Sequence, residues 1–82
     1  MKKIGEVTHY FGKPEVAVLK LSDKLEKGDT VKFMRGDEEL FEQKVKSLEI
    51  DHEKVEEAGK GDDVAMKVDE KLHEGNEVYL EE

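Results

Sequence analysis

Hydrophobic positions along this chain recur at every second residue, the spacing of strands with one buried face, and not at the three-to-four spacing of a helix. The stretch "EVAVLKL" sets Ala17, Leu19 and Leu21 on one face and Val16, Val18 and Lys20 on the other. "TVKFMR" points Val31 and Phe33 one way and Lys32 and Met34 the other, "DVAMKV" aligns Val64, Met66 and Val68, and "EVYLEE" closes with Val78 and Leu80. Near the start, "IGEVTHYF" carries the strand formers Ile4, Val7, Thr8 and Tyr10. In "ELFEQKVKSLEIDH", Phe41, Gln43 and Val45 share a face, whereas Leu48 and Ile50 have the opposite parity. One extra residue near Lys46 or Ser47 would restore the register, so the pattern predicts a β-bulge there. Beyond it Val55 and Ala58 stand at the spacing of a single helical turn, too short and too glycine-flanked for a stable helix.

One phrase occurs three times, as "LEKGDTVKF", "AGKGDDVAM" and "LHEGNEVYL". Each copy turns the chain sharply and starts a strand at once. Gly28, Gly61 and Gly75 can take the positive φ that such a turn needs, and Asp29, Asp62 and Asn76 can accept bonds from the turn's own N–H groups. Val31, Val64 and Val78 are then the first core-facing residues of new strands, and Leu25, Ala58 and Leu72 can cover the end of the core. The copies are unevenly spaced, so this is one turn chemistry used at three corners of an all-β domain, not a repeat array. The only proline, Pro14 in "FGKPE", marks a turn between the first two strands.

Composition narrows the picture. Eighty-two residues make one domain, spanning 1–82. Charged residues are 44% of the chain and the net charge is −8, but Leu, Ile, Val and Phe still supply about a quarter of it, above the level of disordered chains. Lysines are interleaved with glutamates, as on a solvated surface, which weighs against nonspecific binding of polyanions. Without cysteine there is no disulfide or thiolate chemistry. Without a long apolar run there is no helical membrane span, and "MKKIGEVTHYFG" lacks the apolar stretch of a signal peptide, so a cytoplasmic setting is expected.

The three Gly-Asp or Gly-Asn corners, together with "KVKSLEI" leading into "VEEAGKGDDVAMKV", resemble the second domain of the translational GTPases, the barrel of elongation factor Tu and its initiation-factor relatives. "VTHYFGK" and "EGNEVYLEE" are similar to two smaller groups as well: archaeal stand-alone elongation-factor-like proteins, and the C-terminal barrel of collagenase-like peptidases, some of whose members act in tRNA modification. The likeness runs from Ile4 to Leu80. It implies a small closed antiparallel barrel of six or seven strands, of the translation-factor domain II type, with RNA, either the tRNA acceptor end or ribosomal RNA, as partner. The chain departs from the peptidase-linked pattern at "RGDEELFEQ", where Asp37, Glu38 and Glu39 replace a polar Gly-His-Thr-Thr-type loop.

Chemistry-bearing motifs are sparse. "AGKGDD" lacks the Lys-(Ser/Thr) pair and helix of a phosphate loop, so no nucleotide is expected. "RGD" at Arg35–Asp37 is read as accidental. His9, His52 and His73 have no zinc spacing, and neither Ser22 nor Ser47 sits in a nucleophile context. No metal, no cofactor and no enzyme activity are expected. The stretch to single out is "THYFGK", because alternation cannot bury His9, Tyr10 and Phe11 together. Either Phe11 covers the barrel end while Tyr10 anchors the turn, or His9, Tyr10 and Lys13 form a stacking-plus-charge platform, joined by Arg35, Phe41 and Gln43 if the loops adjoin. Two functions follow: a noncatalytic RNA-binding barrel, or an accessory module that docks on a partner enzyme, its acidic surface suited to a basic partner.

Overall fold

A computed structural model describes residues 1–81. Ten strands follow one another: β1 (Lys2–Phe11), β2 (Val16–Leu21), β3 (Leu25–Glu26), β4 (Thr30–Arg35), β5 (Glu38–Lys44), β6 (Leu48–Ile50), β7 (Glu53–Val55), β8 (Glu57–Ala58), β9 (Asp63–Lys67) and β10 (Glu77–Leu80). Eight make one antiparallel sheet in the order β5-β4-β10-β1-β2-β9-β6-β7, and β3 pairs with β8 in a separate ribbon. Lys2 lies opposite Leu80, so the first and last strands are neighbours. The domain is all-β, and no helix among the described residues is long and apolar enough to cross a membrane. Val55 and Ala58 belong to strands β7 and β8, not to a helical turn.

The faces read from alternation are the buried ones. Ala17, Leu19, Leu21, Val31, Phe33, Phe41, Val45, Val64, Met66, Val68 and Val78 all lie in one core. Phe33 and Phe41 meet across β4 and β5 with ring centroids 4.8 Å apart and planes tilted by 32°; burial of each ring stabilises by about 1.5–3 kcal/mol. β1 reaches the same core only by slipping register twice, between Lys3 and Gly5 and again between Val7 and His9. The first slip lets Ile4 and Val7, which have opposite parity, both point inward. A third slip sits between Phe33 and Met34 against β5. At Gly5 the sheet is so close that a Cβ would lie 2.6 Å from the Lys20 carbonyl oxygen.

The three corners share one bonding scheme. The side-chain oxygen of Asp29, Asp62 or Asn76 accepts from the N–H three residues earlier, on Glu26, Gly59 or His73, at 2.8 Å in every case. Each corner glycine donates its N–H to a distant strand: Gly28 to the Val45 carbonyl, Gly61 to Leu21 and Gly75 to Val7. The same three strand residues return an N–H to the carbonyls of Asp29, Asp62 and Asn76. The glycines adopt φ of 97°, 90° and 91°, where any other residue is strained. Leu25, Ala58 and Leu72 are buried beneath the corners, and Val31, Val64 and Val78 are fully buried just after them.

Closure differs from the six- or seven-stranded barrel expected. The main sheet has eight strands and its ladder stays open, with β5 and β7 as its two edges. Instead of bulging at Lys46 or Ser47, the chain stops pairing with β4 after Lys44 and resumes at Leu48 beside β9. That crossing resolves the parity conflict, since Val45 and Leu48 are both buried. Four residue steps span at most about 14 Å, so the sheet must curl until its β5 end approaches β6. Gln43 fastens this seam from inside: its amide donates to the Lys67 carbonyl at 3.0 Å and accepts from the Asp69 N–H at 2.7 Å. Outside, Lys46 pairs with Asp69 across the same line.

Gly75→Ala is expected to lower unfolding free energy by about 1–2 kcal/mol through backbone strain, and Gly5→Ala by about 1–3 kcal/mol through overpacking. Gly12→Ala, where a Cβ meets nothing within 4 Å, should be near neutral; urea midpoints compare the three. Gln43→Ala leaves the Lys67 carbonyl and the Asp69 N–H without this partner and should cost about 2–3 kcal/mol, with faster hydrogen exchange at the Asp69 amide as the local signature.

Candidate functional site

Where alternate residues fill the core, the others face solvent, and on most strands these are charged. β2 is the exception, because Val16 and Val18 are apolar on its outer face. Cross-strand pairing sets Val18 against Ala65 of β9, and Ala65 against Glu49 of β6. Phe11 stands opposite Val16, and Val16 opposite Lys67. The result is a groove of about 560 Å³ on the outside of the sheet. Its floor is Val16, Val18 and Ala65, one wall is Phe11 and Pro14, and the other is the β6–β7 hairpin with Glu49, His52 and Lys54.

The "HYF" triplet divides between two faces. Tyr10 is partly buried and packs against the core. His9 and Phe11 point outward and stack on each other, with centroids 6.3 Å apart and planes within 7°. Phe11 remains 50% exposed, so it does not cap the core. Lys13 sits exposed in the turn that follows.

The other candidate residues lie elsewhere. Arg35 ends β4 and is bonded to Glu38 at the start of β5 at 2.5 Å; β10 stands between its strand and β1. Phe41 is packed on Phe33, and Gln43 is consumed by the seam. Of the six residues expected to share a face, His9, Tyr10 and Lys13 are neighbours along one strand and its turn, but Tyr10 packs toward the core while His9 and Lys13 are exposed. Among the described residues no cluster of three metal-type side chains occurs.

Charge is distributed unevenly. Some cations are each matched with two acids: Lys3 pairs with Glu6 and Glu77, Lys24 with Glu26 and Glu57, Lys32 with Glu39 and Glu81. Hydrogen bonds to Glu6, Glu57 and Glu39 respectively hold these three ammonium groups above the ordinary lysine range, and Lys2 holds the Asp23 carboxyl below the ordinary carboxylate range. Lys54 and Lys67, at the groove, make no ion pair among the described residues.

Backbone strain gathers at the groove as well. Among the described residues, the non-glycine positions with positive φ are Glu15 at 66°, Asp51 at 51° and His52 at 67°. They occupy the tips of the two hairpins that wall the groove. A two-residue turn of this kind normally uses Asn-Gly or Asp-Gly, so His52 keeps a side chain where glycine would relax the backbone.

The groove residues were not singled out from the sequence. Two signals pointed to them: a strand apolar on both faces at Val16–Leu21, and one aromatic too many in "HYF".

No family model matches the chain. It is 37% identical over 78 residues to an uncharacterized protease of Methanocaldococcus jannaschii, a match that covers 95% of this chain and 19% of that protein. The chain thus spans about a fifth of the curated relative it matches. Among solved structures, the C-terminal domain of a Geobacillus thermoleovorans protein assigned as a U32 peptidase superposes with a TM-score of 0.90 at 22% identity, over 99% of this chain and 93% of that one. Its selenomethionine variant superposes at 0.88 and 21% identity, over 96% and 99%. This likeness establishes a shared fold, and it meets the peptidase-linked part of the resemblance rather than the elongation-factor part.

Phe11→Ala should change stability by no more than about 0.5 kcal/mol, whereas Phe33→Ala in the core should cost about 3–5 kcal/mol. His52→Gly should raise the thermal midpoint by relieving about 1 kcal/mol of left-handed strain. Differential scanning calorimetry of the three variants checks both statements.

Proposed function

We propose that this domain is a noncatalytic accessory module that docks on the body of a protease, the second of the two functions set out from the sequence. The observation that carries the reading is extent. The likeness to the peptidase C-terminal domain runs through nearly the whole of both chains, and the protease relative contains a matching segment about a fifth of its own length. A segment of that size folded as a complete domain has its own core and meets its host through its surface. The exposed groove supplies an apolar surface of the kind that partners cover.

RNA recognition draws little support from this arrangement. Of the platform residues expected, Arg35 stands on β4, two strands from β1, and is paired with Glu38, while Phe41 and Gln43 are buried.

The test is an NMR titration of the isotope-labelled chain with the Methanocaldococcus protease from which the matched 78-residue segment has been deleted. Docking predicts broad loss of amide signals as the small domain joins a larger body. An unchanged spectrum with that body in excess overturns the proposal. A parallel titration with a tRNA acceptor-stem minihelix should leave the spectrum unchanged at moderate salt.

A further inference from the structure

Resting on the docking reading, we infer that the groove receives an extended, apolar segment of the partner protein that carries carboxylates, laid along the floor of Val16, Val18 and Ala65 and seated against Lys54 and Lys67. Two features of the groove converge on that occupant.

The first is shape. Val16, Val18 and Ala65 form a nearly continuous apolar strip on two adjacent strands, walled by Phe11 on one side and the β6–β7 hairpin on the other. A strip of this form suits an extended chain that buries alternate side chains.

The second is charge. The chain carries −8, yet the groove is lined by Lys54 and Lys67 with Glu49, opposite Lys54, as the one acidic residue. The local sign is the reverse of the molecule's. A cationic or phosphate-rich occupant fits poorly: the first is repelled, and two lysines beside a glutamate neutralise too little of the second. A peptide with one or two carboxylates among apolar residues matches both the floor and the rim. His52, held at positive φ on the hairpin tip, closes the rim between them.

The test uses the full chain, isotope-labelled, and two blocked peptides, Ac-SVEFEVS-NH2 and its neutral counterpart Ac-SVQFQVS-NH2. The glutamate peptide should shift the amides of Phe11, Val16, Val18, Lys54 and Ala65. Binding should weaken by about fivefold for the glutamine peptide and for the Lys54→Glu/Lys67→Glu double variant, the effect of losing a well-formed exposed ion pair. A Lys60→Glu/Lys71→Glu double variant, changed away from the groove, should bind as the parent does and shows that net charge alone is not responsible. Equal binding of the two peptides overturns the charge argument, and shifts at another face, or none, overturn the groove as the site. If the peptide result fails while the protease body still broadens the spectrum, docking stands and uses another face. If the peptide binds and the protease body does not, the groove is a peptide site and the protease reading falls.

Discussion

The fold depends on a two-way backbone clamp made three times over. At each Gly-Asp or Gly-Asn corner, the glycine gives an N–H to a strand far away in sequence, and that strand returns one to the acidic or amide residue beside it. The side-chain oxygen of the same residue ties off the turn's own N–H. All of these groups would otherwise be backbone polar atoms close to an apolar core, where an unmade bond costs more than a made one gains. Because each clamp also delivers a buried valine to the start of a strand, turn chemistry and core formation are a single event at β4, β9 and β10. This is how a chain with nearly half its residues charged still commits 17 hydrophobic residues to one interior.

Much of this was legible in the sequence because it is local. A glycine at positive φ followed by a side chain that bonds its own turn leaves a readable phrase, and period-two alternation separated the faces of β2, β4, β5 and β9 correctly. What alternation could not resolve were the changes of register. Ile4 and Val7 have opposite parity, and their conflict is settled by bulges in β1. The similar conflict between Val45 and Leu48 is settled by crossing to another part of the sheet. Both read identically as text, since the choice rests on which strand lies alongside. Closure was illegible for a related reason. Inside, the seam is held by one buried amide, Gln43, whose partners are backbone atoms at Lys67 and Asp69, and backbone partners leave no residue signature.

The site was less legible than the fold. Grouping His9, Tyr10 and Lys13 with Arg35, Phe41 and Gln43 assumed that exposed chemistry would gather around the aromatic triplet. The triplet instead divides by parity, with Tyr10 inward and His9 and Phe11 outward, and the surface that forms beside it is apolar, drawn from Val16, Val18 and Ala65. Valines in a strand are ordinarily taken for core. The alternation already makes this strand apolar on both sides; only its place between β1 and β9 shows that Val16 and Val18 stay on an outer, partly exposed face.

The neighbouring positions of Lys2 and Leu80 bear on how the domain would be carried. Entry and exit of the chain lie one strand gap apart, roughly 5 Å, so a host could suspend it from a single point, whether at an end or within a surface loop. β1 then leads away from that tether for ten residues, about 30 Å, before Phe11 reaches the groove. Such a tether and the groove would thus lie at opposite ends of one strand. A host that holds this domain by its ends must offer its contacting segment a full strand's length from the point of attachment, which favours a body wide enough for the domain to lie along it.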